Sequence, residues 1–159
     1  MKKIVLILTV ASLWVIWYIC YPHYLIWLEG YSFFSTLPDF IGIYMDFPKD
    51  IPRYLGAFLL QFYAVPGVGP AIQAFLSVLL VICLYVIIRR MFKDSDGLLW
   101  ISYLALPIFV YNQMDDMTLT RSVSIVSGTV AAMAFVLLFT VKVKPFDRLP
   151  QFMYNRYLA

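Results

Sequence analysis

The run "PAIQAFLSVLLVICLYVII" (Pro70–Ile88), closed by Arg89 and Arg90, decides what kind of molecule this is. No charge interrupts it, and at ~1.5 Å per residue a helix of this length covers most of a ~30 Å hydrocarbon core. "PGVGP" (Pro66–Pro70) stands before it, breaks any preceding helix and leaves Pro70 at a helix start, where a missing N–H costs nothing. The whole chain agrees with this reading: 63% of its residues are hydrophobic, 18% aromatic and only 13% charged. A soluble domain carries about 25% charged residues, so lipid must be the solvent for much of this chain.

Three further apolar runs flank the first. "IVLILTVASLWVIWYICY" (Ile4–Tyr21) carries no charge, and its far end is crowded by Trp14, Trp17, Tyr18, Tyr21, Tyr24 and Trp27. Amphipathic rings gather where hydrocarbon meets headgroups. "LLWISYLALPIFVYNQM" (Leu98–Met114) is short, and Pro107 near its middle predicts a kink. "SVSIVSGTVAAMAFVLLFTV" (Ser122–Val141) is the last. Residues 22–65 read differently. Pro22, Pro38, Pro48 and Pro52 break them, while Glu29, Asp39, Asp46 and Asp50 lie among aromatics. Short helical pieces lying on the membrane surface are expected, with Asp50 at a helix N-cap. Ile51, Leu55, Phe58, Leu59 and Phe62 share one helical face.

Orientation follows from charge. With the N-terminus cytoplasmic, Lys2, Lys3, Arg89, Arg90, Lys93, Lys142, Lys144, Arg148 and Arg156 lie inside and only Lys49, Arg53 and Arg121 outside. That is nine against three, a strong positive-inside bias. No basic stripe of the nucleic-acid-binding kind is present. The residues "WYI" before Cys20 lack the small residue a lipoprotein signal needs, and no A-x-A-like cleavage site follows the first run. Cys20 and Cys83 fall roughly 20 Å apart in depth at helical rise. A disulfide, which needs Cα atoms within about 7 Å, is therefore not expected. One histidine, His23, cannot build a zinc-type cluster with them.

Six sets of residues are candidates for chemistry or assembly. Asp115 and Asp116 stand between two apolar runs. Two carboxylates there can bind a divalent cation or act as acid and base, or they can solvate a turn and cap the next helix; the second role is the expectation. Glu29 is the only charge between Lys3 and Asp39. Buried among aromatics it would have a raised pKa and could move a proton or bind a sugar hydroxyl; turned to water it is a surface acid. Asp39, Asp46 and Asp50 suit turns and caps. Gln73 and Ser77, one turn apart, read as a polar seam between helices. Ser124, Gly128 and Ala132 repeat every four residues, the small-xxx-small spacing that lets helices approach closely. Their partner is either within the chain or another copy. Arg148, Arg156, Phe146, Phe152, Tyr154 and Tyr157 form an interfacial anchor in the tail.

At "YLIWLEGYSFFSTLPDF" and "IPRYLGAFLLQFYAVPGVGPAI" the chain resembles the N-terminal part of an uncharacterised family of bacterial multi-pass membrane proteins, a domain of unknown function. In that family a "YLGAFLxQFxxxPxxG" stretch introduces the second span, and Tyr54–Gly69 reads the same way. The resemblance covers about the first 130 residues, and it implies a membrane fold without implying a reaction. In layout the chain also resembles lipid-dependent glycosyltransferases of the C-type fold. That resemblance makes Glu29 or Asp39 the acid of a first outer loop and Asp115–Asp116 the pair near the metal.

The expectation is an all-α, polytopic integral membrane protein of a single domain over residues 1–159. Four transmembrane helices are placed at about 4–21, 70–88, 98–114 and 122–141, with an extracytoplasmic interfacial helical segment at about 22–65. Both termini are expected in the cytoplasm and the chain in a bacterial inner membrane. Its expected partners are the lipid bilayer and a second copy or larger membrane protein, with no nucleic acid. The function expected is a non-enzymatic subunit or scaffold. The alternative is a shortened glycosyltransferase-like protein acting on a lipid-linked substrate, with Glu29, Asp39, Asp115 and Asp116 as catalytic candidates. No cofactor is expected, and a divalent cation at Asp115 and Asp116 only under that alternative.

Overall fold

Pro22 makes the first corner. It has no N–H to donate, and its ring disfavours helical geometry at Tyr21. In the computed structural model helix α1 (Lys3–Cys20) stops there and α2 (Pro22–Gly30) leaves at 81° to it. The structure describes residues 3–30, 34–37, 41–42, 50–92, 100–116 and 119–142. The expectations on Asp39, Asp46, residues 93–99 and the tail from 143 onward lie outside them, as does the side chain of Glu29.

Helix α3 (Ile51–Leu60) begins after Asp50 and runs into a 3-10 turn, Gln61–Ala64. Asp50 occupies the N-cap position, but its carboxylate makes no capping bond; its backbone carbonyl accepts from the Tyr54 N–H at 3.0 Å. The "PGVGP" stretch then shows why it holds two glycines. Gly67 has φ +84°, left-handed backbone that a Cβ disfavours. A Cβ on Gly69 would stand 3.1 Å from Cγ of the Tyr63 ring, so the ring and the backbone meet only because Gly69 has none. Helix α4 (Val68–Met91) follows, with Pro70 inside its first turn. Helix α5 (Trp100–Asp115) keeps Pro107 in its interior, and α6 (Thr120–Lys142) closes the described fold.

Long-range contacts set the layout. The Trp14 indole N–H donates to the Gly67 carbonyl at 3.1 Å, bringing the end of α1 to the start of α4. Gln113, near the end of α5, bonds the Gln73 carbonyl near that same start. Leu119, Val123 and Val126 at the head of α6 pack with Trp17, Leu25, Leu28, Leu60, Tyr63, Leu76, Leu80 and Phe109. The ends of α1 and α5 and the starts of α4 and α6 therefore gather at one end of the bundle. A second cluster of Leu13, Ala74 and Val78 continues the α1–α4 contact.

The all-α reading holds for the described residues, and the expectation of four full-length spans is corrected. Among the described residues two helices are long and apolar enough to cross a membrane, Val68–Met91 and Thr120–Phe139, or three if the bent α1–α2 pair is one span. Helix α5 has 16 residues. At 1.5 Å each it rises about 24 Å, short of the ~30 Å core. Helix α1 ends at the Pro22 corner. Between α4 and α6 the chain returns through α5, a helix below span length.

Candidate functional site

Where the helix ends gather, polar side chains are drawn into the interior. Ser77 Oγ lies 2.9 Å from the Gln73 carbonyl and 3.0 Å from Gln113 Oε1, so its one proton is shared between two acceptors. The Gln113 amide N–H donates to the Gln73 carbonyl at 3.1 Å. Gln73, Ser77 and Gln113 are all fully buried. The polar seam read from Gln73 and Ser77 thus joins α4 to α5, and Gln113 is the residue across it. Tyr24 of α2 donates its hydroxyl to the Met114 carbonyl at 2.6 Å, with the Gln113 carbonyl at 3.4 Å. These are carbonyls in the last turn of α5, where helix carbonyls lack intrahelical partners.

The two adjacent aspartates part company at the α5–α6 turn. Asp115 is exposed and pairs with Arg121, Oδ2 to Nη1 at 3.1 Å, both side chains more than half exposed. Such a surface pair contributes ~0–1 kcal/mol. Asp116 is only 4% exposed, and its Oδ2 accepts the Ser122 N–H at 2.6 Å. Ser122 is the third residue of α6, so the carboxylate satisfies one of the N–H groups that a helix start leaves open and sits at the positive end of its dipole. Leu119, at φ +57°, turns the chain between them and is fully buried. Left-handed backbone costs a leucine roughly 1–2 kcal/mol, and this burial offsets it.

Tyr63 completes the layer. Its ring is packed on Gly69, and its hydroxyl is buried without a hydrogen-bond partner among the described residues. Burial pushes the phenol well above the ordinary tyrosine range, and the neighbouring Tyr24 and Asp116 push it further the same way. Both amide atoms of Gln73 and the hydroxyl of Ser122 are likewise buried without a partner. An unmatched buried polar group costs about 1–3 kcal/mol, so each such atom is a feature to explain.

A family model described as "Family of unknown function (DUF6057)" matches residues 1–156. The chain belongs to that family. The match runs past the first 130 residues that carried the resemblance at the sequence level. No curated protein and no solved structure matches the chain.

Within this DUF6057 member the candidate acids do not converge among the described residues, where no group of three or more His, Cys, Asp or Glu side chains could hold a metal ion. Asp115 faces outward and Asp116 inward. Asp50 heads α3, while Asp39 and the Glu29 side chain lie outside the described residues. Cys20 is exposed and Cys83 buried, both free thiols. The small-residue stripe lies open. A Cβ on Gly128 would meet nothing within 4 Å, and Ala132 is exposed, with Ser124 partly covered. Sequence reasoning passed over Gln113, Tyr24 and Tyr63. The signal for Gln113 was available, because an amide in the last turn of an apolar helix needs a partner. Nothing local distinguishes Tyr24 or Tyr63 from the chain's other tyrosines.

Proposed function

We propose that the chain is a membrane-embedded, non-enzymatic subunit that packs through α6 against a second copy or a larger membrane protein. The observation that carries this reading is the open Gly128 face. The first two turns of α6 pack on α4, but from Ser127 onward the small residues Ser127, Gly128, Ala131 and Ala132 are uncovered on a helix apolar enough to cross a membrane. Lipid tails gain nothing from small residues, whereas a neighbouring helix does, because its backbone can approach closely and pack.

The polar groups nearest to a reactive arrangement support the same reading. Asp116 holds a helix start, Asp115 pairs with Arg121, and Gln113 ties α5 to α4. The charge asymmetry of the sequence supports an inner-membrane setting with the N-terminus in the cytoplasm.

The test is association. In mild detergent, cysteine placed at Gly128 in a Cys20→Ser, Cys83→Ala background should cross-link to itself or to a co-purifying protein. Gly128→Leu should abolish the assembly seen by native mass spectrometry without lowering the monomer's thermal stability, since the added side chain meets open space within the chain. A monomer that never cross-links, in detergent or in cells, would overturn the proposal.

A further inference from the structure

Three basic helix ends share the end of the bundle opposite the Gln73–Gln113 seam. The seam lies where α4 and α6 start and α1 and α5 finish. Leu6, one turn into α1, and Ile82, in the second half of α4, both pack on the Leu13, Ala74 and Val78 cluster, so α1 runs antiparallel to α4. Helices α4 and α6, of 24 and 23 residues, start together and pack against each other, so they also finish at one end. Lys3 opens α1 after Lys2, Arg89 and Arg90 stand in the last turn of α4, and Lys142 closes α6 with Lys144 two residues on. The nearest acids along the chain, Asp94, Asp96 and Asp147, follow three to five residues beyond the helix ends.

Arg89 and Arg90 are both exposed, and neither meets a carboxylate among the described residues. Arg89 leans back along the helix, its Nη1 3.4 Å from the Tyr85 hydroxyl. The two residues that follow are apolar and face outward, Met91 at 63% exposure and Phe92 at 52%. The carbonyl end of a helix carries about half a negative charge, which a single cation offsets. Two adjacent arginines therefore leave a surplus of positive charge. Guanidinium forks match phosphate oxygens two at a time. Basic clusters at the end of a span attract anionic lipid, and apolar side chains beside them enter the acyl boundary. A free phosphate would meet the arginines but would leave Met91 and Phe92 uncovered, so a lipid fits the whole surface and a free phosphate only half of it.

We propose that the end of α4 is a binding site for the headgroup of an anionic phospholipid, its phosphate held by Arg89 and Arg90 and its acyl chains lying against Met91 and Phe92. The site rests on the membrane-embedded reading of the chain and not on association through α6, and Gly128 variants leave it intact.

The experiment is native mass spectrometry of the purified full chain in detergent, with phosphatidylglycerol or phosphatidylcholine added at equal concentration. Both lipids carry a phosphate and the same tails, and only the first has a net negative charge. The wild type should bind phosphatidylglycerol the more tightly by about tenfold or more. Arg89→Gln with Arg90→Gln should weaken phosphatidylglycerol binding by about fivefold for each cation removed, while the unfolding midpoint in lipid-free detergent stays at the wild-type value. Should the double variant fail to purify, each single variant should show its own fivefold loss. Inorganic phosphate at the lipid's concentration should not raise the wild-type midpoint, and a rise equal to that given by phosphatidylglycerol would overturn the lipid assignment. If the arginines only complement the helix end, the double variant loses midpoint without lipid and keeps the preference. Such a retained preference, or a wild type that takes up both lipids equally, overturns the proposal and leaves the membrane setting standing. A chain that stays in solution without detergent and takes up neither lipid overturns both.

Discussion

Asp115 and Asp116 are the same residue type one position apart, and the fold gives them opposite tasks. Asp115 ends α5 on its outer side, where its pairing with Arg121 is shared with water. Asp116 lies past the helix, where the chain turns through Leu119, and its carboxylate is carried inward to the Ser122 N–H. The consequences of mutation should differ accordingly. Asp116→Ala removes an acceptor from a helix start and should destabilise the chain by about 1 kcal/mol, within the roughly 0.5–2 kcal/mol span of lost helix caps. Asp116→Asn keeps an acceptor oxygen and should recover most of that loss. Asp115→Ala should stay within about 0.5 kcal/mol of wild type. Thermal unfolding of the three variants in one detergent checks the order, and equal losses at 115 and 116 would contradict the cap.

Helix α3 buries its small residues and leaves much of its large apolar face exposed. Of the face read from spacing, Leu55, Phe58 and Phe62 are exposed, Ile51 and Leu59 are half-buried with Leu59 packed on the core, and Gly56, Ala57 and Leu60 are buried. In water a large apolar face marks the core. Beside lipid, large side chains can face the solvent, and small ones let helices close on each other. Phe58 meets Phe34 and Phe62 edge-on, with ring centroids 5.4 and 5.3 Å apart, so the outward face is an aromatic surface. Ala57→Leu should therefore overpack the buried side of α3 and cost ~1–3 kcal/mol. Phe58→Leu, on the exposed side, should cost well under half as much. If Phe58→Leu proved the more damaging change, as measured by thermal unfolding in detergent, the buried face of α3 would be the other one.

At the scale of the molecule, the bent α1–α2 pair and the below-length α5 make span counting from hydropathy unequal to the helix count. Under the proposed orientation nine basic residues lie inside and three outside, and that sidedness can be tested. In the background without Cys20 and Cys83, a cysteine at Ser35 should react with an impermeant thiol reagent on whole cells, and one at Ser95 should react only after permeabilisation. The reverse pattern would place Asp115 and Asp116 on the cytoplasmic side and invert the proposed orientation.

What the sequence by itself determined is what depends on neighbours along the chain. Apolar runs are sums over adjacent residues, so the helices of α1, α4, α5 and α6 were legible within a few residues of their ends. Prolines act on the residue beside them, so the breaks at Pro22 and Pro66–Pro70 were legible too. What only the tertiary structure decided is what depends on residues far away in sequence. The chain turns by 81° after α1, and the described part of α5 is below span length, so among the described residues four apolar runs do not become four full spans. Gln73 meets Gln113 forty positions on, Trp14 meets Gly67, and Tyr24 meets Met114. Burial of Asp116 follows from those contacts and from no local pattern, because desolvation is set by everything that surrounds a group, and for Asp116 the surroundings arrive from α2, the 3-10 turn and α6.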